Sequence, residues 1–267
     1  MLDRILLQAP VYLLVFVRCF ALIMTLPMFS MRSASRVAKV ALAGYLAFFI
    51  FGGIDLSVYA PYIGQDGTFS MIYVLLLIGE ALIGIIMGFY VSIIFAAFSA
   101  AGQFLAFQMG LSAASSYDAL SQVENPLMGQ FFNLVAMLVF MQTHWFQRLF
   151  LRGLVTSFSS MTALSIATTN EKIAMFMVKG LTSLFADALV IALPVMGTLF
   201  LITLCTGLLT KAAPQMNLLS EGFPIMILIA FTIIALSMEK IINFFVRSFS
   251  IGFSELENLF AIISGGV

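Results

Sequence analysis

Charge is what this sequence has least of. Only 9% of its 267 residues are Asp, Glu, Lys or Arg, whereas 62% are hydrophobic, and the mean hydropathy is +1.12. Soluble domains carry about 25% charged and about 45–50% apolar residues, so an ordinary water-soluble fold is excluded. The chain is of the integral-membrane class or folds inside a very apolar assembly. Its formal net charge is zero. It therefore offers no basic surface to neutralise phosphates, and nucleic acid is not an expected partner. Histidine occurs once, at His144, and cysteine twice, at Cys19 and Cys205, each inside an apolar run. These are too few and too scattered for a metal site or a disulfide framework, and both thiols read as small buried hydrophobes. A phosphate-binding loop, a metal-ligand spacing and a nucleophile elbow are all missing. No enzyme, catalytic residue or cofactor is expected.

What is present is apolar sequence in long runs. Six stretches stand out, at roughly residues 5–29, 38–62, 71–111, 127–147, 174–210 and 218–246. Each is far too long for a strand, and the alternation of a membrane barrel strand is absent, so the expected fold is all-α. The first stretch holds Arg4 and Arg18 and has no small-residue cleavage site after a short core. It reads as a retained first membrane segment.

Two features resist a plain six-span reading. A helix over Met71–Leu111 would be about 60 Å long, twice the roughly 30 Å of a bilayer core, and before Gly102 only Gly84 and Gly88 offer a turn. The basic residues conflict as well. Arg32, Arg36 and Lys39 place the first connection in the cytoplasm, yet Arg148, Arg152 and Lys172 fall in one that alternation places outside. An internal repeat is also visible. "EALI" at Glu80 and "DALV" at Asp187 each open an apolar run. Gln108–Met109 and Gln215–Met216 follow at the same offset, and acidic residues and prolines (Glu124, Pro126; Glu221, Pro224) come after them. Such a pattern fits two helical hairpins with functional tips.

Charges inside apolar runs mark either a solute pathway or structural ion pairing, with a neighbouring subunit or at a helix end; Glu80, Lys179 and Asp187 are the candidates. Lys179 and Asp187, eight residues apart, fit one side of a helix two turns apart. His144 and Trp145 read as an interfacial anchor. The 17 Met and 28 Phe suit an adaptable apolar core or a deformable seal.

The segment "TKAAPQMNLLSEGFP" (Thr210–Pro224) is the most specific local signal. Its "PQMN" at Pro214–Asn217 and "GFP" at Gly222–Pro224 resemble the signature of the FliR/SctT family of flagellar and type III secretion export-gate proteins. "GQFLAFQMGLSAAS" (Gly102–Ser115), the early Arg, Pro and basic pattern of Val17–Ala43, and "ADALVIALPV" (Ala186–Val195) are similar to family segments too. Lys211 stands where the family pattern has Arg, and "SYDALSQVENP" (Ser116–Pro126) departs from its usual Asp-Pro loop. The "QMN" spelling leans towards the flagellar branch.

The resemblance implies a single export-gate domain over residues 1–267, with a FliP-like part at about 1–175 and a FliQ-like hairpin at about 176–267. It implies assembly with FliP-like and FliQ-like subunits in a helical cone, contact with a FlhB-like switch subunit and with membrane lipid, and passage of unfolded export substrates. The cone would sit in the bacterial inner membrane within the flagellar basal body, partly on the periplasmic side. The family's pore plug maps onto Gly110, Leu111, Ser112, Ala113, Ala114, Ser115, Ser116, Tyr117 and Asp118. This segment holds no Lys or Arg, which suits a dry constriction. A helix-hairpin tip contacting partners maps onto Lys211, Pro214, Gln215, Met216, Asn217, Gly222, Phe223 and Pro224. A polytopic secondary transporter or small-solute channel, drawing on the repeat and on Glu80 and Asp187, is the alternative. An assembly scaffold without a pore role is the third.

Overall fold

A computed structural model of the chain describes residues 2–30, 35–54, 57–62, 70–111, 127–212 and 218–264. Among these residues every regular element is helical, as expected. Helix α1 (Leu2–Thr25) stops where Pro27 bars helical geometry at Leu26, and Pro27 then opens the short α2 (Pro27–Ser30). Helix α3 (Arg36–Phe51) is capped by Ser35, whose hydroxyl accepts from the Ala38 N–H at 3.2 Å. It ends at Gly52, and a 3₁₀ turn spans Ser57–Tyr62. Helix α4 (Met71–Gln108) is unbroken over 38 residues. After it come α5 (Leu127–Gln142), α6 (Trp145–Arg148), a π-helical turn (Leu149–Gly153) and α7 (Leu154–Ser160). The last two, α8 (Ile166–Ala212) and α9 (Leu218–Ile263), have 47 and 46 residues.

Several expectations change. Among the described residues, four helices are long and apolar enough to cross a membrane, namely α1, α4, α8 and α9. The stretches at 38–62 and 127–147 yield only the 16-residue helices α3 and α5, because Gly52–Gly53 and the left-handed His144 (φ 59°) end them. Residues 148–172, read as a connection, are mostly helical, and α9 continues well past 246 through Arg247 and Ser248. Gly84 and Gly88 form no turn; they lie inside α4 as close-packing positions. Cys19 is buried as expected, whereas Cys205 is exposed on α8, a helix most of whose surface this chain leaves uncovered.

The chain forms two compact units, one of residues 1–93, 144–180 and 250–267 and the other of 94–143 and 181–249. In the first, α1 and α4 run parallel. Tyr73 donates to the Pro10 carbonyl at 2.7 Å, and Ser92 donates to the Thr25 carbonyl at 2.7 Å, one of those left orphaned at the end of α1. A Cβ at Gly84 would strike the Arg18 carbonyl and Ala21, and one at Gly88 would strike Thr25 and Leu22. The four-residue spacing of these small positions lets the two backbones touch. Helix α3 returns along α1, with the Tyr12 hydroxyl donating to the Gly44 carbonyl at 2.9 Å.

The second unit is centred on aromatic rings. Phe98 and Phe245 lie 4.0 Å apart between centroids, Phe95 and Phe249 5.1 Å, and Phe140 and Phe249 5.2 Å. Edge and tilted packing of this kind fixes α4, α5 and α9 against one another.

Candidate functional site

Charge is scarce, so the few buried polar groups are the first places to look for function. In the first unit Arg18 and Glu80 are both fully buried and joined Nε to Oε2 at 2.6 Å. Arg18 also donates through Nη1 to Ser157 Oγ at 3.0 Å and through Nη2 to the Met161 carbonyl at 2.8 Å, and its guanidinium lies 3.9 Å over the Phe158 ring. The other oxygen of Glu80 accepts from the Tyr59 hydroxyl and, at 3.3 Å, from the Ala163 N–H. Ala163 N–H also donates to the Tyr59 oxygen at 2.9 Å. Gly79 admits this arrangement, since a Cβ there would lie 2.6 Å from the Ala163 Cβ.

The network ties together α1, the 3₁₀ turn, α4 and the α7–α8 junction. An arginine at the middle of a membrane helix costs about 2.5–3.5 kcal/mol on insertion scales, and removing one partner of a buried pair costs about 3–5 kcal/mol. The pair is therefore decisive for how this unit closes. Burial, followed by the charge of and hydrogen bond to Glu80, pushes the Tyr59 hydroxyl well above its ordinary pKa of 10.0, so it stays protonated and donates. Sequence reading marked Glu80 but not its partner. The signal was there: Arg18 interrupts one apolar run and Glu80 another, and two opposite charges in a chain this apolar call for each other.

The other marked charges are structural pairs within the chain. Lys179 bonds Glu255 at 2.8 Å, and Asp187 accepts from Ser248 at 2.6 Å. The basic residues that upset the topology reading are engaged too. Arg148 lies 4.6 Å over the Trp145 ring, Arg152 meets Glu257 at 3.0 Å, and Lys172 donates to the Ile262 carbonyl at 3.3 Å near the end of α9. Trp145, read as an interfacial anchor, is buried and stacks on Phe253 at 4.7 Å.

In the second unit, the candidate plug leaves the end of α4. Helix α4 ends at Gln108. Gly110 follows in the left-handed region (φ 76°) and donates to the Phe107 carbonyl at 3.1 Å. A Cβ at Gly102 would lie 2.7 Å from the Gly129 Cα, and one at Gly129 would lie 3.1 Å from the Ser99 carbonyl. The helices on either side of the segment thus touch backbone to backbone at these two glycines. Gly110 and Leu111 are placed, whereas Ser112, Ala113, Ala114, Ser115, Ser116, Tyr117 and Asp118 lie outside the described residues. At the other candidate region, Lys211 is exposed near the end of α8, and Pro214, Gln215, Met216 and Asn217 lie outside the described residues. Gly222, Phe223 and Pro224 lie within the first two turns of α9, with Gly222 buried and Pro224 exposed. No group of acidic, histidine and cysteine side chains suited to a metal occurs among the described residues.

A family model described as "Bacterial export proteins, family 1" matches residues 9–251. The chain belongs to this family. This family 1 export protein is 32% identical over 256 residues to the flagellar biosynthetic protein FliR of Bacillus subtilis (strain 168), covering 95% of this chain and 96% of that protein. It is 30% identical over 248 residues to FliR of Escherichia coli (strain K12), covering 92% and 89%. It is also 29% identical over 177 residues to the surface presentation of antigens protein SpaR of Shigella flexneri, covering 66% and 67%. The family is the FliR/SctT family that the sequence resembles, and these relatives favour its flagellar branch. With four helices apolar and long enough to span, the export protein is a membrane-embedded component, and its family is one of secretion components rather than enzymes.

Proposed function

We propose that this protein is a structural subunit of a flagellar type III export gate, that it forms the protein-conducting channel with FliP-like and FliQ-like subunits, and that Gly110–Asp118 plugs that channel. The observation that carries the plug assignment is its base. A segment without Lys or Arg leaves α4 at the left-handed Gly110, between helices held in contact at Gly102 and Gly129. Fixed stems with small residues between them suit a closure that can shift without disturbing its frame. The need for partners is supported by α8 and α9, whose apolar windows are 28% and 17% buried, against 61% for α4. Faces this exposed call for lipid or neighbouring subunits.

On this reading Lys211–Pro224 forms a hairpin tip that touches the FliP-like and FliQ-like neighbours. Residues 1–175 are the FliP-like part and 176–267 the FliQ-like hairpin. A FlhB-like subunit adjoins the gate, and unfolded export substrates displace the plug. The gate lies in the inner membrane within the basal body, partly on its periplasmic side. A solute-transport role finds little support, because both carboxylate oxygens of Glu80 are taken up by Arg18, Tyr59 and Ala163.

The test is deletion of Ser112–Ser121 in cells that assemble the gate, with ion leakage across the membrane as the readout. Increased leakage is expected. A gate that co-purifies intact with its FliP-like and FliQ-like partners yet stays tight to ions would overturn the plug assignment.

A further inference from the structure

We infer that α1 is not a self-sufficient membrane segment, and that Arg18 makes its stable integration depend on the later arrival of α4 with Glu80. Arg18 lies at the middle of the apolar window Gln8–Thr25, about 15 Å along a segment about 27 Å long at the helical rise. Reaching out to either interface is least effective at that depth. The same window is the shortest and least hydrophobic of the four spanning candidates, so it has the smallest apolar drive to offset the charge.

None of the charged or polar groups that hold the guanidinium belongs to α1. They arrive 62 residues later at Glu80, 139 later at Ser157 and 143 later at Met161. Glu80 is itself held by Tyr59 and Ala163, neither of which lies on α1. Gly84 and Gly88 then let α4 seat directly on α1. A chain that has made α1 alone faces an insertion equilibrium about two orders of magnitude less favourable than one in which the charge is matched. Pairing removes that penalty, so the two helices enter as one event. The inference does not depend on the plug or on the export partners.

The experiment uses the full-length chain with an N-terminal epitope tag, pulse-labelled in its host membrane. Protease protection of the tag is scored before degradation intervenes, which reports the position of the N-terminus whether or not the variant folds. Glu80→Leu is expected to reduce the fraction of chains with the wild-type N-terminal orientation at least several-fold. Arg18→Leu with Glu80→Leu is expected to restore it, since neither charge then remains. Wild-type orientation in Glu80→Leu would overturn the inference and leave the pair a packing contact alone. A double variant as defective as Glu80→Leu would overturn it equally.

Discussion

A guanidinium held away from water needs its donors filled and its charge matched, and Arg18 has both. Replacing Glu80 by Ala should therefore lower the unfolding free energy of the detergent-solubilised chain by about 3–5 kcal/mol in a denaturant titration. The double replacement Arg18→Met, Glu80→Leu should recover most of that loss, because apolar groups of similar volume need no pairing. Tyr59 adds a pH signature. Its folded-state pKa is raised above the ordinary 10.0, chiefly by burial and then by Glu80. Its contribution is thus complete at neutral pH. It declines once the pH passes about 10, where the unfolded chain's tyrosine ionises and the native one does not. Tyr59→Phe should flatten this part of the stability profile between pH 9 and 11. It should also lower stability by about 1–3 kcal/mol at neutral pH, since Glu80 loses a donor.

Helix pairs here are set by glycine as much as by large side chains. The α1–α4 contact leaves no space for a Cβ at Gly84 or Gly88, whereas nothing lies within 4 Å of one at Gly197 on α8. Gly84→Leu should destabilise the chain by more than the about 1–3 kcal/mol usual for overpacking, because the obstacle is helix backbone. Gly197→Ala should instead raise the melting temperature slightly, worth about 0.5–1 kcal/mol, by lowering the entropy of the unfolded chain. Thermal melts of the two variants in one detergent compare them directly. In sequence Gly84 and Gly88 looked like possible turns. An apolar run shows where a helix can form, but whether a glycine inside it bends the chain or admits a neighbour depends on the neighbour.

At the scale of the molecule, the contrast between well-covered and uncovered helices sets the prediction. Cys19 is buried and Cys205 exposed, which gives a natural pair of probes. A maleimide reagent should modify Cys205 and spare Cys19 in the detergent-solubilised chain. If the proposed gate covers that stretch of α8, co-purified FliP-like and FliQ-like partners should slow the Cys205 reaction several-fold. Equal rates with and without partners would move the interface elsewhere. Cys205 was expected to be buried because it lies in an apolar run. That inference fails for a helix that its own chain leaves mostly uncovered.

Much was determined by sequence alone: the all-helical, membrane-class character rests on composition and run length, and the export family on short motifs such as Pro214–Asn217 and Gly222–Pro224. These are properties of neighbouring residues and can be read in order. Tertiary structure decided that Arg18 and Glu80 share one buried network, that Gly102 and Gly129 lock the base of the candidate plug, and that the basic residues of 148–172 are occupied by Trp145 and α9. Each of these joins residues that only packing brings together. Linear sequence shows that a buried charge must have a partner, but only the geometry of parallel helices seated on glycine selects which partner it is.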